Sequence, residues 1–436
     1  MGRWTPRVDG AHAAQTLALA LAQRTEAKQE PDSQALTPFL QLHEVFRQAY
    51  PVFFEEADVQ VVAGGSLLML LPGAQKARPL LFVGHLDIMP VEPGTEELWD
   101  FPPFAGAAAD GYVWGRGALD MKGHLVALLE AAESLLKAGW RPSTDVWFAF
   151  SQDAQIHGPS ARQMCRILQA QGVEPSFILD GGGWVEEDFA LVGVAEKGYA
   201  DISLSITSEG GDASLAKQPA SLEKLALAAA HAVRHPMPCH LCEPVEWMLR
   251  TMSPRFPFWK RVVTAYPRLF WPVINAMVHM GKIPQTLFRT TVTFTKAQGS
   301  GFSGLISRHN SFTYHCRLLP GDSVEDVIAH LRCAAGPGDI RIAVHSGEKA
   351  SSVSPAKGAA WDALATAIHI LFSESKAVPC LIAKTTEARC YEELSSQIYR
   401  FSPFIVQGEG FHKNNEKLSL SNLELGIQFF QQMLQA

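Results

Sequence analysis

Two short clusters in one stretch carry side chains that could do chemistry together. Gly84-His85-Leu86-Asp87 ends an apolar run, Pro79 to Val83, and Gly115-Arg116-Gly117-Ala118-Leu119-Asp120-Met121-Lys122-Gly123 opens a helical pattern. Neutral imidazole and carboxylate are both zinc ligands, so His85 and Asp120 can meet at one ion if the strand end and the helix start are neighbours. A His-x-Asp after a strand also suits a hydrogen-bonded turn. Position favours a site, because open α/β sheets gather ligands at the carboxyl ends of their strands.

The elements that must position these residues read in the same sense. Leu36 to Tyr50 has Leu36, Phe39, Leu40, His43, Phe46 and Tyr50 at helical spacing, a stripe expected to pack on a sheet. Val59–Val62 and Ser66–Leu71 flank Gly64-Gly65 as a hairpin. Pro79–Val83 is wholly apolar, as in a strand covered on both faces. A helix from His124 to Ala138, a strand from Thr144 to Phe150, a helix from Ala161 to Ala170 and a strand from Ser176 to Leu179 follow. The later strands end on Ser151-Gln152-Asp153-Ala154-Gln155 and on Asp180-Gly181-Gly182-Gly183. Three strands that end on polar or turn-forming clusters and alternate with helices predict an α/β sheet with a site along one edge.

From about Tyr199 the pattern becomes β-α-β-β-α-β: strands at 200–207, 290–295, 311–318 and 340–345, helices at 221–235 and 323–334. That is the ferredoxin-like split arrangement. The expected organisation is an α/β domain over 1–199, an inserted lid over 200–347, and the α/β domain resuming over 348–436 with helices at Ala359–Phe372 and Asn422–Leu434. Within the lid, 244–288 is rich in Trp, Phe, Met and Pro. So apolar an excursion must cover its face with the lid sheet, a partner subunit, a lipid-like ligand or a membrane surface.

Composition narrows the function. A chain of 436 residues, 47% hydrophobic, fits two globular domains. A net charge of -7 without a long basic block argues against nucleic acid. The N-terminal Ala/Leu run reads as an amphipathic helix, and no stretch reaches the length of a membrane span. Seven scattered cysteines suggest no disulfide framework and place the chain in a reducing, cytoplasmic setting. Cys239-His240-Leu241-Cys242 offers half of a zinc-finger ligand set, with no second half at finger spacing.

The combination GHLD, W-x-x-P-P-F and D-G-x-x-x-G-R-G-x-x-D-M-K-G resembles the zinc-dependent aminoacylase and carboxypeptidase S family, most closely its N-fatty-acyl-amino-acid synthase/hydrolase branch. The resemblance implies a zinc-exopeptidase-like three-layer α/β/α domain carrying a ferredoxin-like α+β lid, and a homodimer through that lid. It also implies two zinc ions sharing Asp120, one of them held by His85 and Asp180, with Asp87 orienting the His85 ring. The other ion would take His412 and a glutamate at position 155. Beside that ligand the family keeps a glutamate as general base on a metal-bound water.

This chain departs from the pattern where the reaction needs it. Asp153-Ala154-Gln155 stands in place of D-E-E: Gln155 offers no carboxylate and Ala154 no base, and His157 is the sole nearby substitute. Gly211-Asp212-Ala213-Ser214 replaces a G-H-S-S segment whose histidine would stabilise an oxyanion. Ser303 to Ser307 lacks a substrate-contacting asparagine. Arg389, in Lys384-Thr385-Thr386-Glu387-Ala388-Arg389, survives as a candidate for a substrate carboxylate. The expectation is a relative that keeps one zinc and has lost hydrolysis of N-acyl amino acids or peptides. The alternative is an active zinc carboxypeptidase or aminoacylase. Its ligand would be a small N-acyl amino acid or peptide, and 244–288 would suit an acyl chain.

Overall fold

The computed structural model describes residues 5–28, 35–186, 188–406 and 413–436. It divides into two compact units, the first made of Met1–Val194, Ser354–Val378 and Thr386–Ala436, the second of Ala195–Val353 with Pro379–Thr385.

The first unit is built on a mixed sheet whose centre is parallel. The Gln75–His85 strand lies between Thr144–Ser151 and Phe177–Asp180, parallel to both, and Ile398–Arg400 pairs in parallel on the far side of Phe177–Asp180. The Asp58–Val62 and Ser66–Leu71 hairpin adds antiparallel to the outer edge. Alternation along the central strand sends side chains to opposite layers. Leu81 and Val83 pack with Met164, Cys165 and Leu168 of the Ser160–Ala170 helix. Phe82 points the other way, stacked on Phe148 at 5.8 Å and edge-on to Phe430 of the Leu420–Leu434 helix at 6.2 Å. The Gly123–Lys137 helix packs with that C-terminal helix, and its residues are buried nearly all round. A sheet covered on both faces accounts for the unbroken apolar run of its central strand.

One stripe differs from expectation. The Leu36 to Tyr50 pattern forms a helix over Thr37–Ala49 followed by a short one over Pro51–Glu56. Leu42, not Leu40, joins Phe39, His43 and Phe46 on the buried side, and Leu40 is half exposed. Leu42 lies three residues after Phe39 and four before Phe46, whereas Leu40 is spaced from Leu36 and His43 and so falls on the opposite flank of the stripe.

The second unit contains a four-stranded antiparallel sheet in the spatial order Thr291–Gln298, His309–Leu318, Gly198–Thr207, Arg341–Glu348. Helices Ser221–Arg234 and Val324–Ala335 bury Leu225, Ala228, Val327 and Leu331 against Ile202, Leu204 and Tyr314. The connectivity is the split β-α-β-β-α-β arrangement. The apolar excursion is mainly helical, with helices at Glu243–Met252, Phe258–Ala265 and Trp271–His279. Val245, Ile274, Val278 and Phe288 form a core of their own with Leu319 and Leu381. Cys239 and Cys242 are unpaired: Cys242 is buried in that core, and the Arg289 guanidinium donates to the Cys239 sulfur at 3.0 and 3.1 Å.

Candidate active site

His85 is the last residue of the central strand and lies in register with Ser151 on the neighbouring strand. Gly84 makes this possible, since a Cβ there would sit 2.6 Å from the Leu125 side chain at the start of the following helix. The imidazole Nδ1 lies 2.9 Å from the Asp87 backbone carbonyl, which can only accept, so Nδ1 carries the proton. Nε2 then faces Asp120 Oδ1 at 3.2 Å. A lone pair and a carboxylate oxygen facing each other call for a positive centre between them, either a proton or a metal ion. Burial alone would lower the His85 pKa, yet the Asp120 and Asp87 carboxylates outweigh it and raise it well above the usual imidazole value. This donor pair suits a zinc-type ion.

Asp120 is fixed from below by a buried carboxylate the sequence reading did not single out. Glu416 Oε1 accepts from the Leu119 amide at 2.9 Å and the Asp120 amide at 3.3 Å, while Oε2 pairs with Arg116 at 2.6 Å. Both partners are almost inaccessible, and Arg116 also donates to the Lys413 carbonyl at 3.2 Å. The neighbouring strands Tyr112–Trp114 and Lys417–Ser419 pair antiparallel, which brings Glu416 beneath the Gly115 to Asp120 turn. Lys122 is buried as well, its Nζ donating to the carbonyls of Ala20 and Gln23. Desolvation lowers its pKa to about 7.

Asp87 and Asp180 lie at neighbouring strand ends. Asp87 is fully buried; its Oδ2 accepts the Gln155 amide at 2.8 Å, and its Oδ1 has no hydrogen-bond partner. That oxygen lies 3.3 Å from His85 Nδ1, so ring orientation rests on the Asp87 carbonyl and is aided by its carboxylate. Asp180 accepts from the Gly181 amide at 2.7 Å and the Ala388 amide at 2.9 Å. Burial raises its pKa to about 6 against the pull of those bonds, His85 and Arg400.

The replaced segment lies beside this pair. Asp153 accepts from the Ser160 amide and hydroxyl, and Ala154–Ile156 forms a single 3₁₀ turn. At position 155 the backbone amide engages Asp87, and at 154 a methyl group stands where the pattern has a carboxylate. His157 ends the turn in the left-handed region. Arg389 lies in the Glu387–Tyr391 turn, whose Glu387 is a second residue that sequence reasoning passed over. Ser151 donates its hydroxyl to Glu387, and burial raises that carboxyl's pKa well above normal, opposed by Ser151 and His85. In the second unit Asp212 is exposed, its carboxylate accepting from the Ser214 amide and hydroxyl.

Thus the structure brings His85, Asp87 and Asp120 together and puts Asp180 and Glu387 within electrostatic reach of His85. His412 lies outside the described residues. Among the described residues, no group of three or more His, Cys, Asp or Glu side chains is placed to hold a metal ion.

With this geometry in view, the comparisons place the chain. The profile of Peptidase family M20/M25/M40 matches residues 81–436, and the chain belongs to that family. It is 28% identical over 428 residues to the human N-fatty-acyl-amino acid synthase/hydrolase, covering 94% of this chain and 84% of that protein. It is 28% identical over 442 residues to a probable carboxypeptidase S-like protein of Dictyostelium discoideum, covering 97% and 84%. An M20 family metallo-carboxypeptidase from Sulfolobus solfataricus has the same fold, with a TM-score of 0.73 at 15% identity over 97% of this chain and 98% of that one.

Two predictions follow from the site's buried charges. Glu416→Ala strands Arg116 and should destabilise the fold by about 3–5 kcal/mol in urea unfolding, whereas Glu424→Ala on the same segment should cost little. His124 is buried against Phe430, and desolvation lowers its pKa to about 3. The unfolded chain therefore binds a proton between its own value near 6.5 and about 3 that the fold refuses, so stability falls as pH drops through that window. At pH 5 the penalty is on the order of 2 kcal/mol. Unfolding of His124→Asn at pH 7 and pH 5 should lack that part of the loss.

Proposed function

We propose that this protein is a metal-binding member of the peptidase family that has lost the family's hydrolysis. The observation that carries the reading is the contrast across one site. His85 and Asp120 oppose an imidazole nitrogen to a carboxylate at 3.2 Å, while the adjoining turn presents Ala154 and the backbone of Gln155. The ion in this reading is zinc, one per chain, held by His85, Asp120 and Asp180, while His412 belongs to the second position, whose carboxylate partner is replaced by Gln155. The ion would supply Lewis acidity to a bound carbonyl. What the chain lacks is a group at 154 to take a proton from water, and such a group is worth about a hundredfold to ten-thousandfold.

The ligand in this reading is a small N-acyl amino acid or peptide, with Arg389 for its carboxylate and the apolar residues of 244–288 suited to an acyl chain. The second unit acts as lid and pairs two copies. Seven cysteines scattered along the chain suit the cytoplasm.

A second reading rests on Glu387. A buried carboxyl bonded to Ser151 and felt by His85 is a group that can exchange a proton, and it would let an active carboxypeptidase or aminoacylase dispense with a carboxylate base at position 154.

A hydrolysis screen over N-acyl amino acids and dipeptides separates the two. The first reading expects turnover near background in the native protein and a rise of at least about a hundredfold in Ala154→Glu/Gln155→Glu. Robust native turnover that Glu387→Gln removes would establish the second.

A further inference from the structure

The segment between Trp247 and Gly321 contains no Asp or Glu, in a chain whose net charge is -7. Its first half is the apolar helical excursion, which carries Arg255, Lys260, Arg261, Arg268 and Lys282. Glu246, the last acid before the run, is buried and paired with both Arg250 and Arg268. Basic charge and apolar surface are therefore concentrated in one part of the second unit.

The apolar surface there is open. Phe258 is 83% exposed, Trp259 54%, Leu269 74% and Met280 59%. The Phe258–Ala265 helix buries none of its residues. At about 100° per residue, Phe258, Trp259, Val262, Val263 and Tyr266 share one side of it, with Lys260, Arg261 and Thr264 on the other. The Trp271–His279 helix has no acidic residue, Lys or Arg; it buries Ile274 and Val278 while Val273 and the following Met280 stay exposed. A helix apolar on both sides is ordinarily buried on both. The Lys260 ammonium lies 5.5 Å from the Trp259 ring, a pairing of apolar body and cationic tip that suits a water–lipid boundary.

We propose that this face binds the surface of an anionic lipid bilayer. Phe258, Trp259, Leu269 and Met280 enter the headgroup boundary, and the surrounding Lys and Arg meet anionic headgroups. The charge selects this occupant: an acid-free basic segment complements an anionic surface and repels a second copy of itself. Among the described residues no helix is long and apolar enough to cross a membrane, so the contact is with the surface. The inference is independent of whether the first unit hydrolyses anything.

Vesicle flotation of the full chain tests it, using phosphatidylcholine vesicles with and without roughly one-third phosphatidylserine. Binding should be at least about tenfold stronger with phosphatidylserine and fall as salt shortens the screening length. Phe258→Ser/Trp259→Ser and, separately, Lys260→Glu/Arg261→Glu should each weaken it at least about tenfold. Leu98→Ser, at an exposed leucine of the first unit, should leave it unchanged. These substitutions are at exposed positions, and unaltered circular dichroism would confirm that they fold. Equal binding to neutral vesicles, no binding, or binding indifferent to both double variants would overturn the proposal. So would a dimer that Phe258→Ser/Trp259→Ser splits in the absence of lipid, since that face would then be a self-contact.

Discussion

The buried pair of Glu416 and Arg116 is the interaction on which the site depends. A carboxylate and a guanidinium removed from water gain little unless every remaining donor and acceptor is used. Here Glu416 spends its oxygens on Arg116 and on the amides of Leu119 and Asp120. The turn that carries Asp120 is thereby tied to the segment that leads into the C-terminal helix. That helix in turn packs Phe430 against Phe82 of the strand that ends in His85. The two candidate metal donors are thus held by chain segments nearly three hundred residues apart in sequence, and neither position is local to its motif.

How far the sequence reached follows from what kind of information each feature carries. Strand ends, helix starts and the split arrangement of the second unit were legible because apolar period and glycine punctuation are local. Gly84 and His85 were legible as a strand end for the same reason. Glu416 and Glu387 were not, because each acts through a partner distant in sequence, Arg116 in one case and Ser151 in the other. A Glu after Lys413-Asn414-Asn415 and an Arg between two glycines were the available signal, opposite charges in two turns. The Leu40 and Leu42 exchange is a smaller instance: the two leucines flank the Phe39, His43 and Phe46 stripe on opposite sides, and the side that packs is Leu42's.

Ala154 and Gln155 leave these scaffold contacts in place. The turn still uses the Gln155 amide to satisfy Asp87, a bond to backbone that any residue but proline could make at 155. What a family glutamate would add lies wholly in its side chain, so the fold does not register the loss. Burial and pairing preserve His85, Asp87, Asp120 and Asp180, whose charges would be costly without a cation or proton between them. A retained metal and a missing base are therefore physically compatible in one site.

Calorimetric titration of metal-free protein with zinc tests that central claim most directly. The account predicts saturation near one ion per chain, with the heat abolished by His85→Ala and retained by Gln155→Ala. Saturation at two ions of comparable affinity, or binding that survives His85→Ala, would contradict it.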